Sequence, residues 1–325
     1  MKTLRWGLVG LGRITRNFIN DLHLVDGCEV TAVASRSLSK AEEFAAEFGV
    51  PKFYGAYGDL FADADVDIVY IGTPHHLHAE LGIAAMDAGK HVLCEKPMAV
   101  NQNQVRQMIG ASKRNDVFLM EALWSRFNPS IEESLDLVKE GAIGEVNYIN
   151  ADFSFAAKLD VNGRLLNMEL AGGALLDVGI YPLFLAYSVF GKPKEILATG
   201  RFHETGADIQ TSIVLKYDNG VAQAMGGFLS TSDMVGRIYG TRGSILFEPW
   251  WHKTQGYSLI VDGQLQKFSR PTPGNGFTYE IEECLRCISQ KMTESDRWSQ
   301  TNSLELMGIM DEVRRQIGLK YPFEQ

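Results

Sequence analysis

The chain has 325 residues, 45% hydrophobic and 22% charged, a balance typical of globular proteins with room for two domains. Its formal net charge of −9 argues against nucleic-acid and anionic-membrane partners, although a local cationic pocket can still hold an anionic cofactor. Uninterrupted apolar runs are too short to cross a bilayer, and the N-terminus lacks a signal-peptide pattern. Cysteines are sparse, as in a reducing compartment, so we expect a cytoplasmic protein.

The first part of the chain alternates short apolar runs with helical patterns. Predicted strands cover residues 4–9, 30–34, 68–72, 91–94 and 117–120. Predicted helices cover residues 14–22, 39–48, 78–88 and 101–115. This alternation indicates βαβ units with parallel strands and right-handed crossovers. We therefore predict an α/β protein that begins with a doubly wound Rossmann domain over residues 1–121.

The pattern changes after residue 121. Predicted strands cover residues 145–155, 195–202, 209–216, 221–227, 245–247 and 258–268. Predicted helices cover residues 129–139, 174–190, 277–290 and 299–317. Asp218-Asn219-Gly220 is a hairpin signal, because Asn-Gly accepts positive φ at both central positions. We predict an α+β domain over residues 122–325 with a large, mostly antiparallel open sheet.

A glycine loop joins the first predicted strand to the first predicted helix. Gly10 permits a tight turn, and Gly12 lets the backbone approach a pyrophosphate at the helix N-terminus, where free N–H groups and the helix dipole favour an anion. We therefore expect Gly10, Gly12, Arg13 and Ile14 to bind a dinucleotide. Thr15 stands where this fingerprint usually has glycine or alanine, so we expect the helix to pack slightly farther from the sheet.

The turn after the second predicted strand favours NADP. An NAD site usually has Asp or Glu here to bind the ribose 2′-hydroxyl, and Ser35-Arg36-Ser37 has no acid. Its hydroxyls and guanidinium are suited to a 2′-phosphate. We expect NADP(H) as the cofactor, with NAD as the alternative if Arg36 is only a solvated loop residue.

Two further loops follow strands at the same predicted edge of the sheet, where ligands of open α/β sheets bind. Their candidate cofactor contacts are Thr73, Pro74, His75, His78, Glu95 and Lys96. Lys96 is also a candidate proton-relay group, with a surface ion pair as the equally weighted alternative. No cluster with metal-ligand spacing accompanies the histidines, so we predict no metal site. Cys284 and Cys287 lie in a helical pattern, which favours two thiols on a packed helix face.

The stretch Gly172-Gly173-Ala174-Leu175-Leu176-Asp177-Val178-Gly179-Ile180-Tyr181-Pro182 is the most informative in the second half. Asp177 and Tyr181 are four residues apart, which places them on one helix face. Packing alone explains an acid and a phenol on an otherwise apolar helix poorly. The alternative is a capping aspartate and a core tyrosine with a satisfied hydroxyl.

Four motifs together resemble the glucose-fructose oxidoreductase/inositol dehydrogenase family over essentially the whole chain. They are the GxG loop, TPxxxH at residues 73–78, EKP at 95–97 and GGxLxDxGxY at 172–181. Residues 121–129 and 321–324 are most similar to the dimeric dihydrodiol dehydrogenase and D-xylose dehydrogenase branch. Inositol dehydrogenases usually have histidine at the position of Tyr181, so this residue makes an inositol substrate less expected.

The resemblance implies a Rossmann domain followed by an open, mostly antiparallel sheet. In this family the exposed face of that sheet often forms the oligomer interface, so we expect a homodimer or a higher homo-oligomer. The resemblance also implies that Lys96 lies near the nicotinamide and that the Lys96–Pro97 peptide bond is cis.

The resulting hypothesis is an NADP-dependent oxidoreductase acting on a sugar, a cyclic diol or a related polyol. Tyr181 would take the hydroxyl proton as hydride leaves for NADP⁺, Lys96 would stabilise the phenolate, and Asp177 would orient the substrate or Lys96. Predicted substrate contacts are His78, Trp124, Arg126, Phe153 and Phe277, with Trp250 or Trp251 as further candidates. Arg126 has an ion pair with an acid as its alternative.

Three alternatives stay open at this point. Two are enzymes: a glucose-fructose type oxidoreductase, which keeps its nicotinamide bound, and an anhydro-sugar reductase. The third is a non-catalytic NADP-sensing regulatory protein on the same fold. The presence of Lys96, Asp177 and Tyr181 together favours an enzyme, whereas the substrate and the direction of the reaction stay unassigned.

Overall fold

A computed structural model describes residues 3–324 and divides the chain into two compact units. The first unit runs to Trp124 and also contains Pro273–Leu304, and the second contains Ser125–Thr272 and the chain from Glu305 onward. The division differs from the single boundary predicted between residues 121 and 122. Residues 273–304 belong to the first unit because they bury apolar side chains there: the ring of Phe277 lies 5.0 Å from that of Trp124, centroid to centroid.

The first unit contains a six-stranded parallel sheet. Its strands are β1 (Leu4–Val9), β2 (Cys28–Ala34), β3 (Lys52–Tyr54), β4 (Ile68–Ile71), β5 (His91–Glu95) and β6 (Leu119–Ala122). Its helices, in chain order, begin with α1 (Arg13–Leu22), α2 (Leu38–Phe48), α3 (Tyr57–Ala62), α4 (His78–Asp87) and α5 (Gln102–Asn115). The strand order β3-β2-β1-β4-β5-β6 confirms the doubly wound Rossmann prediction. The sequence analysis missed β3 and α3, which are too short to show a clear period.

The second unit contains an eight-stranded sheet of order β14-β13-β12-β11-β7-β10-β9-β8. Its elements begin with α6 (Pro129–Lys139), β7 (Val146–Ser154), α7 (Ile180–Phe190), β8 (Glu195–Phe202), β9 (Asp208–Lys216) and β10 (Val221–Gly227). They continue with β11 (Gly236–Gly240), β12 (Gly243–Phe247), β13 (Gly256–Val261) and β14 (Gln264–Ser269). Only β7 and β10 pair in parallel, so the mostly antiparallel sheet is confirmed. The chain closes with α8 (Thr278–Ser289) and α9 (Gln300–Ile317).

Two hairpin turns of this sheet form at residues that favour turns. The predicted hairpin between β9 and β10 is confirmed, with the Tyr217 N–H donating to the Gly220 carbonyl at 2.9 Å. The stretch predicted as strand at 258–268 is a hairpin of β13 and β14, because Asp262 and Gly263 both adopt positive φ and reverse the chain. The sequence analysis missed β11, whose glycine ends, Gly236 and Gly240, weaken the strand pattern.

The helix predicted over residues 174–190 is two elements. Leu175–Gly179 forms one turn of π-helix, and α7 continues from Ile180. By length and composition the segment Met168–Phe190 could cross a membrane, but 78% of its most apolar stretch is buried inside the protein. Such burial is typical of a core helix. All four cysteines are free thiols, and Cys284 and Cys287 are both buried on α8.

The π turn packs directly on the sheet through two glycines. A Cβ on Gly226 of β10 would lie 2.7 Å from the Gly179 Cα and 2.9 Å from its nitrogen. Both atoms are backbone, so no side-chain rotation relieves the clash. Glycine at position 226 therefore sets how closely this segment approaches the sheet.

We expect Gly226→Ala to lower the free energy of unfolding by about 1–3 kcal/mol, since it overpacks a backbone contact. The matched control is Gly110→Ala in α5, where the nearest atom to a new Cβ is Arg114 Nη1 at 3.5 Å. The control should be neutral or stabilising by up to about 1 kcal/mol. Urea unfolding measures both, and equal stability of the two variants would contradict this packing account.

Candidate active site

The glycine loop after β1 is shaped for a ligand that binds backbone. Gly10 has φ of 81°, and a Cβ there would lie 2.5 Å from the Thr73 nitrogen, so only glycine fits. Gly12 begins α1 without a side-chain cap, no acid stands in the first turn, and a Cβ on Gly12 would meet nothing within 4 Å. The helix N-terminus is thus open and uncapped, which suits the pyrophosphate of a dinucleotide. Arg13 is exposed beside it.

Thr15 fits beside a glycine of the neighbouring loop, and the wider helix spacing expected from the sequence stays a prediction. It is fully buried, and its hydroxyl donates to the Gly10 carbonyl at 2.6 Å. A Cβ on Gly72 would lie only 2.4 Å from that hydroxyl oxygen. The extra volume of threonine therefore occupies the space left by a glycine of the neighbouring loop, and its hydrogen bond fixes the glycine turn.

The turn after β2 presents one exposed cation. The Ser37 hydroxyl caps α2 by accepting from the Lys40 N–H, and the Ser35 hydroxyl accepts from the Ser37 N–H at 3.3 Å. Arg36 is exposed and hydrogen-bonds Tyr57. Burial raises the pKa of the Tyr57 phenol, and this arginine opposes the shift. Arg36 thus presents its guanidinium at the surface of this turn.

His78 braces two loops, a role that replaces the substrate or cofactor contact predicted for it. Its ring has no exposed surface, with Nε2 at 2.8 Å from the Thr73 carbonyl oxygen and Nδ1 at 2.9 Å from the Pro97 carbonyl oxygen. Burial lowers the pKa of His78 to about 4, and the two carbonyls partly oppose that shift. A neutral ring carries one N–H, so it donates to one of these two carbonyls and only contacts the other, and the loops after β4 and β5 both pack on this side chain.

Glu95 fixes the backbone beside Lys96. Its Oε1 accepts from the Tyr70 hydroxyl at 2.7 Å, and its Oε2 accepts from the Lys96 N–H at 3.1 Å. The Tyr70 ring stacks on Phe18 with centroids 3.8 Å apart. Glu95 is buried and orients the turn that carries Lys96, which differs from the cofactor contact predicted for it. The Lys96–Pro97 peptide bond is cis, as the family resemblance implied.

The turn after Lys96 is held by a second buried acid that the sequence analysis did not single out. Glu121 accepts from the Met98 N–H at 2.8 Å and from the Trp298 indole N–H at 3.2 Å. Burial raises the pKa of its carboxyl. Two of the predicted substrate contacts, Trp124 and Phe277, are neighbouring rings in the first unit.

Tyr181 lies in an aromatic cluster of the second unit. Its ring centroid is 5.3 Å from that of Phe153 and 5.3 Å from that of His252, and these two neighbours stack at 4.1 Å. The sequence analysis missed His252, which stands directly after Trp250-Trp251. Trp251 is fully buried and its indole N–H donates to the Asp152 carbonyl at 2.8 Å, whereas Trp250 is 53% exposed. Of these two candidate tryptophans, only Trp250 presents a large free surface.

Two charged candidates of the second unit form ion pairs. Asp177 Oδ2 lies 3.0 Å from Nη2 of Arg164, in the loop that precedes the π turn. Arg126 pairs with Glu132 at 2.9 Å, which is the alternative considered for it and weakens its predicted substrate role. Across residues 3–324, no group of three or more His, Cys, Asp or Glu side chains has metal-binding geometry.

Two family models match the chain. One, described as an oxidoreductase family with an NAD-binding Rossmann fold, matches residues 4–123. The other, the C-terminal domain of the same GFO/IDH/MocA family, matches residues 131–246. The chain therefore belongs to the GFO/IDH/MocA oxidoreductase family, as the motifs predicted, and it is an NAD(P)-dependent dehydrogenase or reductase.

Curated relatives place it in one branch of that family. Trans-1,2-dihydrobenzene-1,2-diol dehydrogenase of Danio rerio is 40% identical over 333 residues, covering 98% of each chain. The human protein of the same name is 36% identical and also covers 98% of each chain. The predicted similarity to the dihydrodiol dehydrogenase branch is thus confirmed.

Solved structures share the fold over nearly the whole length. An aldose-aldose oxidoreductase from Caulobacter crescentus, complexed with glycerol, has a TM-score of 0.89 and 26% identity, covering 97% of each chain. A 3-ketoreductase from Actinomadura kijaniata in complex with NADP has a TM-score of 0.83 and 26% identity, covering 97% of this chain and 98% of the other. Both are oxidoreductases of small molecules.

The pKa of His78 gives a test of its bracing role. The folded pKa of about 4 lies below the ordinary value of 6.5, so the unfolded chain binds the proton more readily between these values. Lowering the pH from 7 to 4 should therefore cost wild type up to about 3 kcal/mol of stability through this group. A His78→Gln variant lacks that loss, so its stability deficit should shrink over the same window.

Urea unfolding of wild type and His78→Gln at several pH values measures this difference, since contributions common to both chains cancel. A deficit that stays constant from pH 7 to pH 4 would show that His78 is not held as a buried neutral ring.

Proposed function

We propose that the chain is an NADP-dependent dehydrogenase acting on the CH–OH group of a sugar, a cyclic diol or a related polyol. Lys96 and Tyr181 are the proposed acid–base pair. The observation that carries the proposal is that the protein holds each of these two residues in fixed surroundings. Tyr181 is a buried phenol held among Phe153 and His252, and Lys96 stands on a turn fixed by Glu95.

The first unit provides the proposed cofactor site. The open N-terminus of α1, with Gly10, Gly12, Arg13 and Ile14, would hold the pyrophosphate through backbone N–H groups. Arg36, with Ser35 and Ser37, would hold the 2′-phosphate, since no acid stands in that turn to favour a free ribose hydroxyl. Thr73, Pro74 and His75 are the proposed contacts from the loop after β4. The bound nicotinamide supplies the capacity to accept and donate hydride.

The proton chemistry is assigned to side chains of this chain. During oxidation Tyr181 Oη accepts the proton of the reacting hydroxyl, and during reduction it returns that proton. A phenol with an ordinary pKa of roughly 10 needs help to act near neutral pH, and the Lys96 ammonium favours the phenolate. Asp177 orients the substrate. Its carboxylate is held by the ion pair with Arg164, a residue of the loop before the π turn.

Aromatic side chains supply the proposed surfaces for the substrate carbon skeleton. Trp124 and Phe277 provide paired rings in the first unit, and Phe153 provides one beside Tyr181 in the second. Rings of this kind stack on sugars and on cyclic diols. The names of the curated relatives support the cyclic diol as the first substrate to test.

A glucose-fructose type oxidoreductase, which keeps its nicotinamide bound through the cycle, is the second candidate. The fold shared with the Caulobacter enzyme favours it. The two candidates differ in cofactor retention, so nicotinamide that survives extensive dialysis would favour the second.

We also propose a homodimer formed through the uncovered face of the eight-stranded sheet. That face carries Leu197, Val214 and Met225 among polar residues, and it encloses a depression of about 850 Å³. Leu197 is 49% exposed on β8. Sedimentation of the purified chain gives the subunit number.

The four free thiols support a reducing compartment, and we propose a cytoplasmic location.

Lys96→Met and Tyr181→Phe should each lower kcat by about 100-fold or more, because each removes a group that transfers or stabilises the proton. NADP binding, measured by fluorescence titration, should persist in both. The assay is nicotinamide absorbance with the best substrate of a diol and aldose panel.

Tyr217→Phe is the matched control, because the Tyr217 hydroxyl is buried and has no hydrogen-bond partner among the described residues. Its turnover should stay near wild type. Near wild-type turnover in both Lys96→Met and Tyr181→Phe would sink the acid–base assignment.

Arg36→Ala should weaken NADP binding by about 10–100-fold, as expected for loss of charged hydrogen bonds worth roughly 1.5–3 kcal/mol, and should leave NAD binding almost unchanged. Arg16→Ala is the control, since Arg16 lies on α1 and pairs with Glu47. Calorimetric titration with both cofactors measures the four affinities. Equal weakening of NADP and NAD by Arg36→Ala would remove the 2′-phosphate role.

A further inference from the structure

The glycine pair before the π turn lies in a crowded backbone junction. A Cβ on Gly172 would lie 2.6 Å from the Arg164 carbonyl oxygen and 2.9 Å from that of Asn167. The Gly172 carbonyl in turn accepts from the Tyr321 hydroxyl at 3.1 Å. The loop before the π turn, the start of that turn and the C-terminal segment therefore meet at Gly172, where no side chain fits.

Asp208, the first residue of β9, occupies the space that Gly173 leaves free. Its Oδ2 accepts from the Leu175 N–H at 2.7 Å, at the first residue of the π turn. A Cβ on Gly173 would lie 2.1 Å from Oδ1 of the same carboxyl, and Gly173 has φ of 128°. The second glycine of the motif is therefore required by Asp208, through both contact and backbone conformation.

Burying the Asp208 carboxyl costs free energy, so its presence at this position needs a physical reason. Asp208 has no exposed surface, and its Oδ1 has no hydrogen-bond partner among the described residues. Burial raises the pKa of its carboxyl to about 6, and the N–H groups of Leu175 and Ala174 oppose the shift. A neutral side chain at position 208 could accept the Leu175 hydrogen bond without this cost. The feature unique to aspartate is therefore its negative charge at the start of the π turn.

The charged and titratable groups around Asp208 come from three elements. Arg314 of α9 lowers the pKa of Asp208, pairs with Glu324, and lies over the Tyr321 ring at 4.8 Å from the centroid. Burial raises the pKa of the Tyr321 phenol, and the charges of Asp208 and Asp177 add to that shift. Arg314 is thus a cation that offsets a small part of the cost of burying this carboxylate.

We propose that Asp208 is a positioning residue of the reaction, whose carboxylate fixes the first turn of the segment that carries Asp177 and Tyr181. The proposal rests on the function proposed above for Tyr181. It assigns a physical reason to Gly173 in the GGxLxDxGxY motif, since a larger residue would expel Asp208. It also predicts that protonation of Asp208 loosens the turn, because a neutral acid accepts the Leu175 hydrogen bond less strongly.

The test uses the full chain with Asp208→Asn, which keeps the shape and removes the charge. We expect kcat to fall by about 10–100-fold through misplacement of Tyr181, with the NADP dissociation constant unchanged. Hydrogen–deuterium exchange of residues 174–181 should become at least about 10-fold faster. Wild-type kcat should decline below about pH 6, and this acid limb should be absent in Asp208→Asn.

Thr211→Val is the matched control on the same strand. Thr211 is fully buried, and its hydroxyl has no hydrogen-bond partner among the described residues. A Cβ on Gly179 would lie 3.7 Å from that hydroxyl oxygen, so the control also faces the π turn. We expect wild-type kcat and wild-type exchange.

Three results would overturn the proposal: unchanged exchange of 174–181 in Asp208→Asn, faster exchange with kcat unchanged, or the same losses in Thr211→Val. If Asp208→Asn fails to fold, exchange of the wild-type segment across pH 5–7, corrected for the intrinsic rate, decides. Constant protection would overturn the proposal. Near wild-type turnover in both Lys96→Met and Tyr181→Phe would instead refute the proposed acid–base chemistry, and the exchange data would still decide whether Asp208 fixes the turn.

Discussion

The contact between the backbones of Gly10 and Thr73 is the constraint on which the first unit's site depends. Val9 and Ile71 are register partners in adjacent parallel strands, so the loops that follow them start side by side. They touch because residue 10 has no side chain: a Cβ there would lie 2.5 Å from the Thr73 nitrogen. The dinucleotide loop and the loop after β4 are thereby one surface.

The same contact leads to Lys96 through one side chain. The buried ring of His78 lies between the Thr73 carbonyl, 2.8 Å from Nε2, and the Pro97 carbonyl, 2.9 Å from Nδ1, and as a neutral ring it donates to one of them. Glu95 holds the N–H of Lys96 from the other side of the turn and is itself held by Tyr70. The backbone that carries the proposed catalytic lysine is therefore held beside the loop after β4 by the buried side chains of His78 and Glu95.

Local sequence patterns predicted the fold of each unit and the motifs of the site. They could do so because helix and strand periods, glycine turns and motif spacing depend on residues that are close in sequence. The motifs of Gly10, Thr73 and Lys96 lie in the loops after β1, β4 and β5, and the motif of Tyr181 covers the π turn and the start of α7. The functional roles assigned to these residues stay predictions. Local patterns could not predict the contacts of His78 and Glu95. Their partners, Pro97 and Tyr70, are distant in sequence and come close only because of the order of the strands. His252 and Asp208 lay outside the motifs, and only tertiary packing brings them to Tyr181 and to Leu175.

The central claim is that this chain oxidises a hydroxyl carbon with NADP⁺, and the most direct test is a turnover assay. Purified chain is mixed with NADP⁺ and each of a panel of cyclic diols and aldoses, including trans-1,2-dihydrobenzene-1,2-diol, and the absorbance of reduced nicotinamide is followed. The account predicts multiple turnovers with at least one member, faster with NADP⁺ than with NAD⁺. Tight NADP binding without turnover of any panel member, in either direction, would contradict it.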